Sequence, residues 1–323
     1  SLRTPHLDEL VRRGIELDRH YAFHECAPSR ASLLTGRLGP HVTQAVYSGR
    51  PLDGGAHVNF TLLSTRLQRV GYATHMVGKW HLGSSSPDLL PIARGFGSSF
   101  GFLGGAEDHF SHISTQRLCG KRQLDFWENN GPADRRFGGV YGDYLFRDRA
   151  VSIIKEHNKA TPLFLYLALQ VTHSPNQAPE QYAHRCNQRS TRARYSCNYE
   201  GMVNVVDEVV GNVSTALQQT KMWRRSLVVV ASDNGGETRI LRNNYPLRGG
   251  KLSDFEGGVR VVALVSGGYV PKGRVGIKLE GEGSYVHICD WYETFASLAG
   301  AAAVPTGQEV DRYGRALPAS DSL

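Results

Sequence analysis

Three near-continuous apolar runs limit what this chain can fold into. They are "PLFLYLALQVTH" from Pro162, "SLVVVASDNGG" from Ser226 and "GVRVVALVSGG" from Gly258. None alternates polar with apolar residues, as a strand with one wet face would. Each reads as a strand buried on both faces. A shorter strand, "YATHMV", runs into "GKWHLG", and "IELDRHYA" reads as another. Helical spacing lies between these runs. Thr4-Pro5 opens a helix with Leu7, Leu10 and Val11 on one face, and Gly14 stops it. Residues 59–70 carry Leu63, Leu67 and Val70 on one side, and residues 141–157 read as helical. Residues 199–219 place Met202, Val205, Val206, Val209 and Val213 at helical intervals. "HICDWYETFASLAG" predicts a last helix with Ile288, Trp291, Phe295 and Leu298 inward. Strands alternating with helices imply an α/β fold with a mainly parallel sheet between helices.

In such sheets the ligand sits beyond the carboxyl ends of the strands. Three runs end there in polar groups: "MVGKWH", "LQVTH" and "VVASDN". Lys79, His81, His173, Asp233 and Asn234 are therefore expected at one edge, a set suited to an anion held beside a metal. The chain carries a net charge of +7 over 323 residues, which favours anionic partners. Its densest basic stretch, His184–Asn198, has no aromatic interleaving, so nucleic acid is not expected. No apolar run reaches the roughly 20 residues that span a bilayer. Of five cysteines, Cys186 and Cys197 flank a short basic loop and could pair in an oxidising compartment. With the sequons at Asn59 and Asn212, this leans toward the secretory pathway, lysosomal or extracellular.

The remaining puzzle is "ECAPSRASLLTGR", Glu25 to Arg37. A helix start lowers the pKa of a thiol placed there and favours anions. Neither a capped buried cysteine nor a thiolate paired with His24 accounts for Pro28 and Arg30. The stretch resembles the signature Cys-x-Pro-Ser-Arg of the type I, formylglycine-dependent sulfatases, followed by their Leu-Leu-Thr-Gly-Arg. "GYATHMVGKWHLG" looks like the second signature of that family. "RGFGSSFGFLGGAEDHFSH", "PLFLYLALQVTHSP", "SDNGG" and "PLRGGKLSDFEGGVR" are similar, in the same order, to segments of arylsulfatase B and its close relatives.

The resemblance implies an alkaline-phosphatase-like sulfatase fold and hydrolysis of sulfate esters, either aryl sulfates or glycosaminoglycan sugars such as N-acetylgalactosamine 4-sulfate. It implies that a formylglycine-generating enzyme oxidises Cys26 to formylglycine (3-oxoalanine), whose hydrate supplies the nucleophile. Arg30 would neutralise the developing alkoxide. His81 would assist sulfate release. Lys79, His173 and Lys251 would grip the sulfate oxygens, with His173 or Lys251 protonating the leaving alcohol. Residue 26, Asp233 and Asn234 would bind calcium. His24, Asp254, His287 and Asp290 match no functional position of the family.

Family members begin with a strand ending in an Asp-Asp pair that binds the calcium, and this sequence contains no Asp-Asp. The expectation is an incomplete catalytic domain spanning residues 1–323. It would lack that strand and most of a small C-terminal antiparallel domain, leaving strand edges exposed. Taken alone it would be inactive or barely stable. Close relatives pair a cysteine near Cys119 with one about ten residues upstream, and none stands there. Two alternatives stay open: a non-catalytic protein binding sulfated glycans, and a phosphate or phosphonate ester hydrolase of the same superfamily.

Overall fold

The computed structural model describes residues 2–42, 55–116, 121–186, 190–240, 242–301 and 321. Cys119 lies outside them. In chain order the elements are α1 (Pro5–Arg12), β1 (Ile15–Leu17), β2 (His20–Tyr21), α2 (Cys26–Thr35), α3 (Gly39–Val42), α4 (Leu63–Arg69), β3 (Ala73–Lys79), β4 (Ser98–Phe102), β5 (Trp127–Glu128), β6 (Gly131–Pro132) and α5 (Gly142–Glu156). There follow β7 (Leu163–Ala168), α6 (Glu180–Ala183), α7 (Thr191–Gln219), β8 (Val228–Ala231), α8 (Glu256–Val259), β9 (Arg260–Val261), β10 (Ala263–Ser266), β11 (Ile277–Leu279), β12 (Val286–His287) and α9 (Asp290–Leu298).

The strands form three sheets, ordered β6-β5-β4-β3-β7, β11-β1-β10-β8 and β12-β2-β9. The first has a parallel heart, β4-β3-β7, flanked by the antiparallel β5 and β6. Alternation along its strands divides the core. Met76, Phe164 and Tyr166 face a layer built on Leu34, Leu63, Leu67 and Tyr292, from α2, α4 and α9. Val77, Leu165 and Leu167 face Phe100, Phe102 and Phe146, the last of these from α5. This is the expected α/β layering. The second and third sheets are mixed: β1 pairs parallel with β11 but antiparallel with β10, which is itself antiparallel to β8, and β2 pairs parallel with β12 but antiparallel with β9.

Several local expectations change. "IELDRHYA" is two short strands, β1 and β2, broken by a turn at Asp18-Arg19. The helix expected over 59–70 is confined to α4, leaving Val70 exposed. The helix expected from 199 begins at Thr191. At α9 the expected Ile288, Trp291 and Phe295 do pack into the core, joined by Tyr292 and Ala296, whereas Leu298 is half exposed. The run from Gly258 divides at Val262, which is exposed, into β9 and a fully buried β10.

β7 and β8 are not buried on both faces. They are sheet edges whose side chains are half-buried, with Ala231 exposed. An edge strand leaves one row of backbone groups and the flanks of its side chains uncovered.

At the carboxyl end of β3 the backbones approach closely. A Cβ on Gly78 (φ +105°) would lie 2.0 Å from the Ala168 carbonyl oxygen. One on Gly101 would lie 2.0 Å from the Gly78 carbonyl oxygen. Glycine alone allows this packing, and it sets the position of the next residue, Lys79.

Candidate active site

Cys26 is the first residue of α2, following Glu25 in extended conformation, and is 5% exposed. Nearly all of α2 is buried, so its start is fixed by packing on every side. Lys79 ends β3 and is 2% exposed. His81 follows after one residue, at φ +56°. His173 lies in the loop after β7, and Lys251 in the loop after β8. The Lys251 amide donates to the Gly236 carbonyl, and the Leu252 amide donates to the His24 carbonyl. His24 is thereby a scaffold for the lysine loop. Its ring also approaches Asp254 at 3.4 Å, while Asp254 itself is 91% exposed.

Lys251 Nζ lies 3.5 Å from Cys26 Sγ and 3.1 Å from His173 Nε2. His173 Nδ1 is 2.8 Å from the Ser174 carbonyl, so Nδ1–H donates there. Nε2 is then left to accept from the Lys251 ammonium. Burial by itself raises the Cys26 thiol pKa. Lys79, the side chains of His173 and His81, and Lys251 outweigh it and hold the thiol well below its ordinary value. Burial lowers the Lys79 pKa, with the thiolate opposing the shift. Burial also lowers His81 to about 4, so its ring is neutral near pH 7.

Arg30, on the turn of α2 after Cys26, is turned away from solvent. Its Nε and Nη2 donate to Asp233 Oδ2 at 3.0 and 2.8 Å, and Nη1 donates to the Lys79 carbonyl at 2.8 Å. Tyr166 Oη, from β7, lies 3.4 Å from the same Nη1. Tyr166 is a neighbour of the site that the apolar reading of its strand concealed. Its only sequence mark is a hydroxyl inside "LFLYLA". Asn234 Nδ2 donates to the Gly235 carbonyl, while its Oδ1 is buried without a partner.

Of the eight residues singled out from sequence, Cys26, Arg30, Lys79, His81, His173, Asp233 and Lys251 are linked around the sulfur, and Asn234 follows Asp233 in the chain. His287 and Asp290 lie elsewhere: Asp290 accepts the His287 amide at the start of α9. Cys186 and Cys197 are joined by a disulfide. Asn212 is exposed on α7, with its side chain donating to the Glu208 carbonyl.

For a calcium ion, Asp233 and Asn234 offer oxygens of the right kind, and the orphaned Asn234 Oδ1 is unclaimed by any other group. One Asp233 oxygen is taken by Arg30. Calcium takes 6–8 oxygens. Among the described residues no group of three or more His, Cys, Asp or Glu side chains could hold a metal. The donors fit in kind and fall short in number.

Fold and site together define a class: an α/β protein holding one buried, cation-ringed residue at the ends of its strands. Residues 1–301 match the sulfatase family, and the chain belongs to it. Arylsulfatase J of Mus musculus is 36% identical over 305 residues, covering 93% of this chain and 49% of that protein. N-acetylgalactosamine-6-sulfatase of Homo sapiens is 30% identical over 331 residues, covering 96% of this chain and 60% of that protein. Among solved structures, Ps i-CgsB in complex with k-i-k-neocarrahexaose superposes with a TM-score of 0.81 at 30% identity, covering 95% of this chain and 69% of that one. The chain spans about half to three-fifths of the length of these curated relatives. Among the described residues no helix is long and apolar enough to cross a membrane.

Proposed function

We propose that this chain carries the sulfate-binding and nucleophilic part of a sulfate ester hydrolase that uses Cys26 after its conversion to formylglycine. One observation carries the reading. Lys79, His81, His173 and Lys251 all converge on the buried Cys26 sulfur, and among the described residues neither lysine is ion-paired with a carboxylate. Buried cations are costly unless an anion at their centre completes them, and here that place is held by the Cys26 sulfur.

As formylglycine, residue 26 supplies a hydrated aldehyde, one hydroxyl for attack on sulfur and the other to expel sulfate; the present Sγ stands in for a diol oxygen. Lys79, His173 and Lys251 bind the equatorial sulfate oxygens, where charge builds in the transition state. The Lys251–His173 contact offers a path by which a proton reaches the leaving alcohol. His81, neutral near pH 7, accepts the proton of the second hydroxyl. Arg30 holds Asp233 and the Lys79 carbonyl in place and keeps positive charge close to residue 26.

Asp233 and Asn234 would hold a calcium ion together with residue 26, adding positive charge beside the sulfate. The remaining oxygens would come from an Asp-bearing strand seated between the open edges of β7 and β8. Those two strands already share an apolar cluster through Leu163, Leu165 and Val228. The Cys186–Cys197 disulfide supports a secretory route, lysosomal or extracellular.

Sulfated carbohydrate is the favoured substrate class. Tyr245, Leu252 and Phe255 are exposed in the segment that carries Lys251, and Arg248 stacks 4.0 Å over Phe255. That rim offers apolar faces to a sugar ring and a cation to a further anionic group.

The test is turnover of nitrophenyl sulfate against nitrophenyl phosphate by the natural protein, with mass spectrometry of its residue-26 peptide. Sulfate turnover with an aldehyde at position 26 is expected, together with its loss in Cys26→Ala. A preference for phosphate would favour the phosphoesterase alternative. An unmodified thiol without turnover would favour a glycan-binding protein.

A further inference from the structure

The loop that carries His173 is held by side chains at four consecutive residues. The amides of Gln170 and Val171 donate to Asp143 Oδ1 at 2.9 and 3.3 Å. The Thr172 carbonyl accepts from Arg242 Nη2 at 3.1 Å. The His173 carbonyl faces His109 Nε2 at 3.3 Å. His109 stacks flat on Tyr141, with ring centroids 5.0 Å apart and planes 8° apart, and its Nδ1 faces Asp143 Oδ2 at 3.5 Å. The side chains of His109 and Asp143 are wholly buried. Tyr141 and Gln177 tie the far end of the same loop to the same two segments. Tyr141 Oη donates to the Gln177 carbonyl, and Gln177 Oε1 accepts the His109 amide.

Burying an Asp beside a His is expensive, and an apolar pair would fill the volume at lower cost. The polar contacts of both side chains go to each other or to the 170–173 loop. We propose that His109 and Asp143 are positioning residues for His173. They fix its backbone so that Nδ1–H is committed to Ser174 and Nε2 faces Lys251 and residue 26. The proposal rests on the sulfatase reading of the site and adds two residues that touch neither the sulfur nor the sulfate.

The test uses the protein from its natural gene, expressed with the cysteine-modifying enzyme. The parameters kcat and KM are measured over aryl sulfates of graded leaving-group acidity for wild type, His109→Leu, His109→Gln, Asp143→Asn, His173→Ala and the His109→Leu/His173→Ala double variant. A misplacement of about 1 Å can cost about 100-fold in rate. His109→Leu should therefore lose on the order of 100-fold in kcat on the poorest leaving group and far less on the most activated one, with KM little changed. His109→Gln, whose amide can still donate to a carbonyl, should recover part of the loss.

Residues acting as a unit are non-additive, so the double variant should be no slower than His173→Ala alone. Losses that multiply in the double variant, or that are equal for every leaving group, would overturn the proposal. Amide hydrogen exchange gives a second readout: residues 170–173 should exchange faster in His109→Leu and Asp143→Asn, and unchanged protection would also overturn it. A wild-type protein with no sulfate turnover at all would refute the sulfatase reading itself, and the catalytic meaning of the clamp with it.

Discussion

Arg30 is the residue on which the site's architecture can be tested without turnover. It gives three strong hydrogen bonds: two to Asp233 Oδ2, at 2.8 and 3.0 Å, and one to the Lys79 carbonyl at 2.8 Å. In Arg30→Met the aliphatic stem is largely kept and all three are lost. Charge-assisted bonds contribute about 1.5–3 kcal/mol each, offset by regained hydration of the removed guanidinium. Breaking one side of a buried pair costs about 3–5 kcal/mol overall. The Asp233 side chain is 26% exposed, so water can reach the abandoned carboxylate and the lower end applies. The expected loss is about 3 kcal/mol, or roughly a 100-fold shift in the unfolding equilibrium at 1.4 kcal/mol per decade.

The assay is urea unfolding in the presence of a calcium chelator, so that metal binding cannot mask the change. Arg30→Met, Asp233→Asn and the double variant complete a cycle. The double variant should be markedly less destabilised than the sum of the singles, because Asn leaves no stranded charge. A loss below about 1 kcal/mol for Arg30→Met, or strict additivity, would refute the view that Arg30 and Asp233 form one buried unit.

His20 should shape the acid limb of stability. Burial, with a smaller effect from His287, lowers its pKa to about 4, and its Nε2 accepts from Trp291 Nε1 at 3.0 Å. The unfolded ring binds its proton near pH 6.5. Stability from keeping it neutral is therefore complete above that pH and is lost as pH falls toward 4, by about 3 kcal/mol in all. Denaturant midpoints at pH 7 and pH 4.5 should differ less in His20→Leu than in wild type. Gly78→Ala should destabilise the protein by on the order of 3 kcal/mol, since its Cβ would meet the Ala168 carbonyl at 2.0 Å at a positive φ; an unchanged melting temperature would contradict the close strand approach. Replacing Cys186 and Cys197 together by Ser should cost about 3 kcal/mol, the loop being 11 residues long, as read by thermal unfolding. Lys251→Ala should lower kcat by about two orders of magnitude, because it removes a preorganised charge facing residue 26 and His173.

The residues of the site were legible because their chemistry is local to short words. Cys26 and Arg30 lie four apart at one helix start, Lys79 and His81 end one strand, and Asp233 and Asn234 are adjacent. The helices at 142–156 and 290–298 were legible from periodicity. Leu298 and Val70 were not, because both stand at helix ends where the apolar stripe has already rotated off the core. Tyr166 was hidden for the opposite reason. In an apolar strand a tyrosine looks like filler until the strand's face is known, and that face turned out to meet Arg30.

The sequence by itself determined the α/β layering and put Lys79, His81, His173, Asp233 and Asn234 at strand ends, while its resemblance to the sulfatases supplied the family and the parts of Cys26, Arg30 and Lys251. Only the tertiary structure decided that β7 and β8 are edges, because pairing depends on which distant strand reaches each flank. Only there do Asp143, His109 and Arg242 close on the His173 loop, from segments that lie 27 to 70 positions from their partners. Side chains that act on backbone across such distances leave no periodic pattern, and their role is set wholly by where the packed helices and strands bring them.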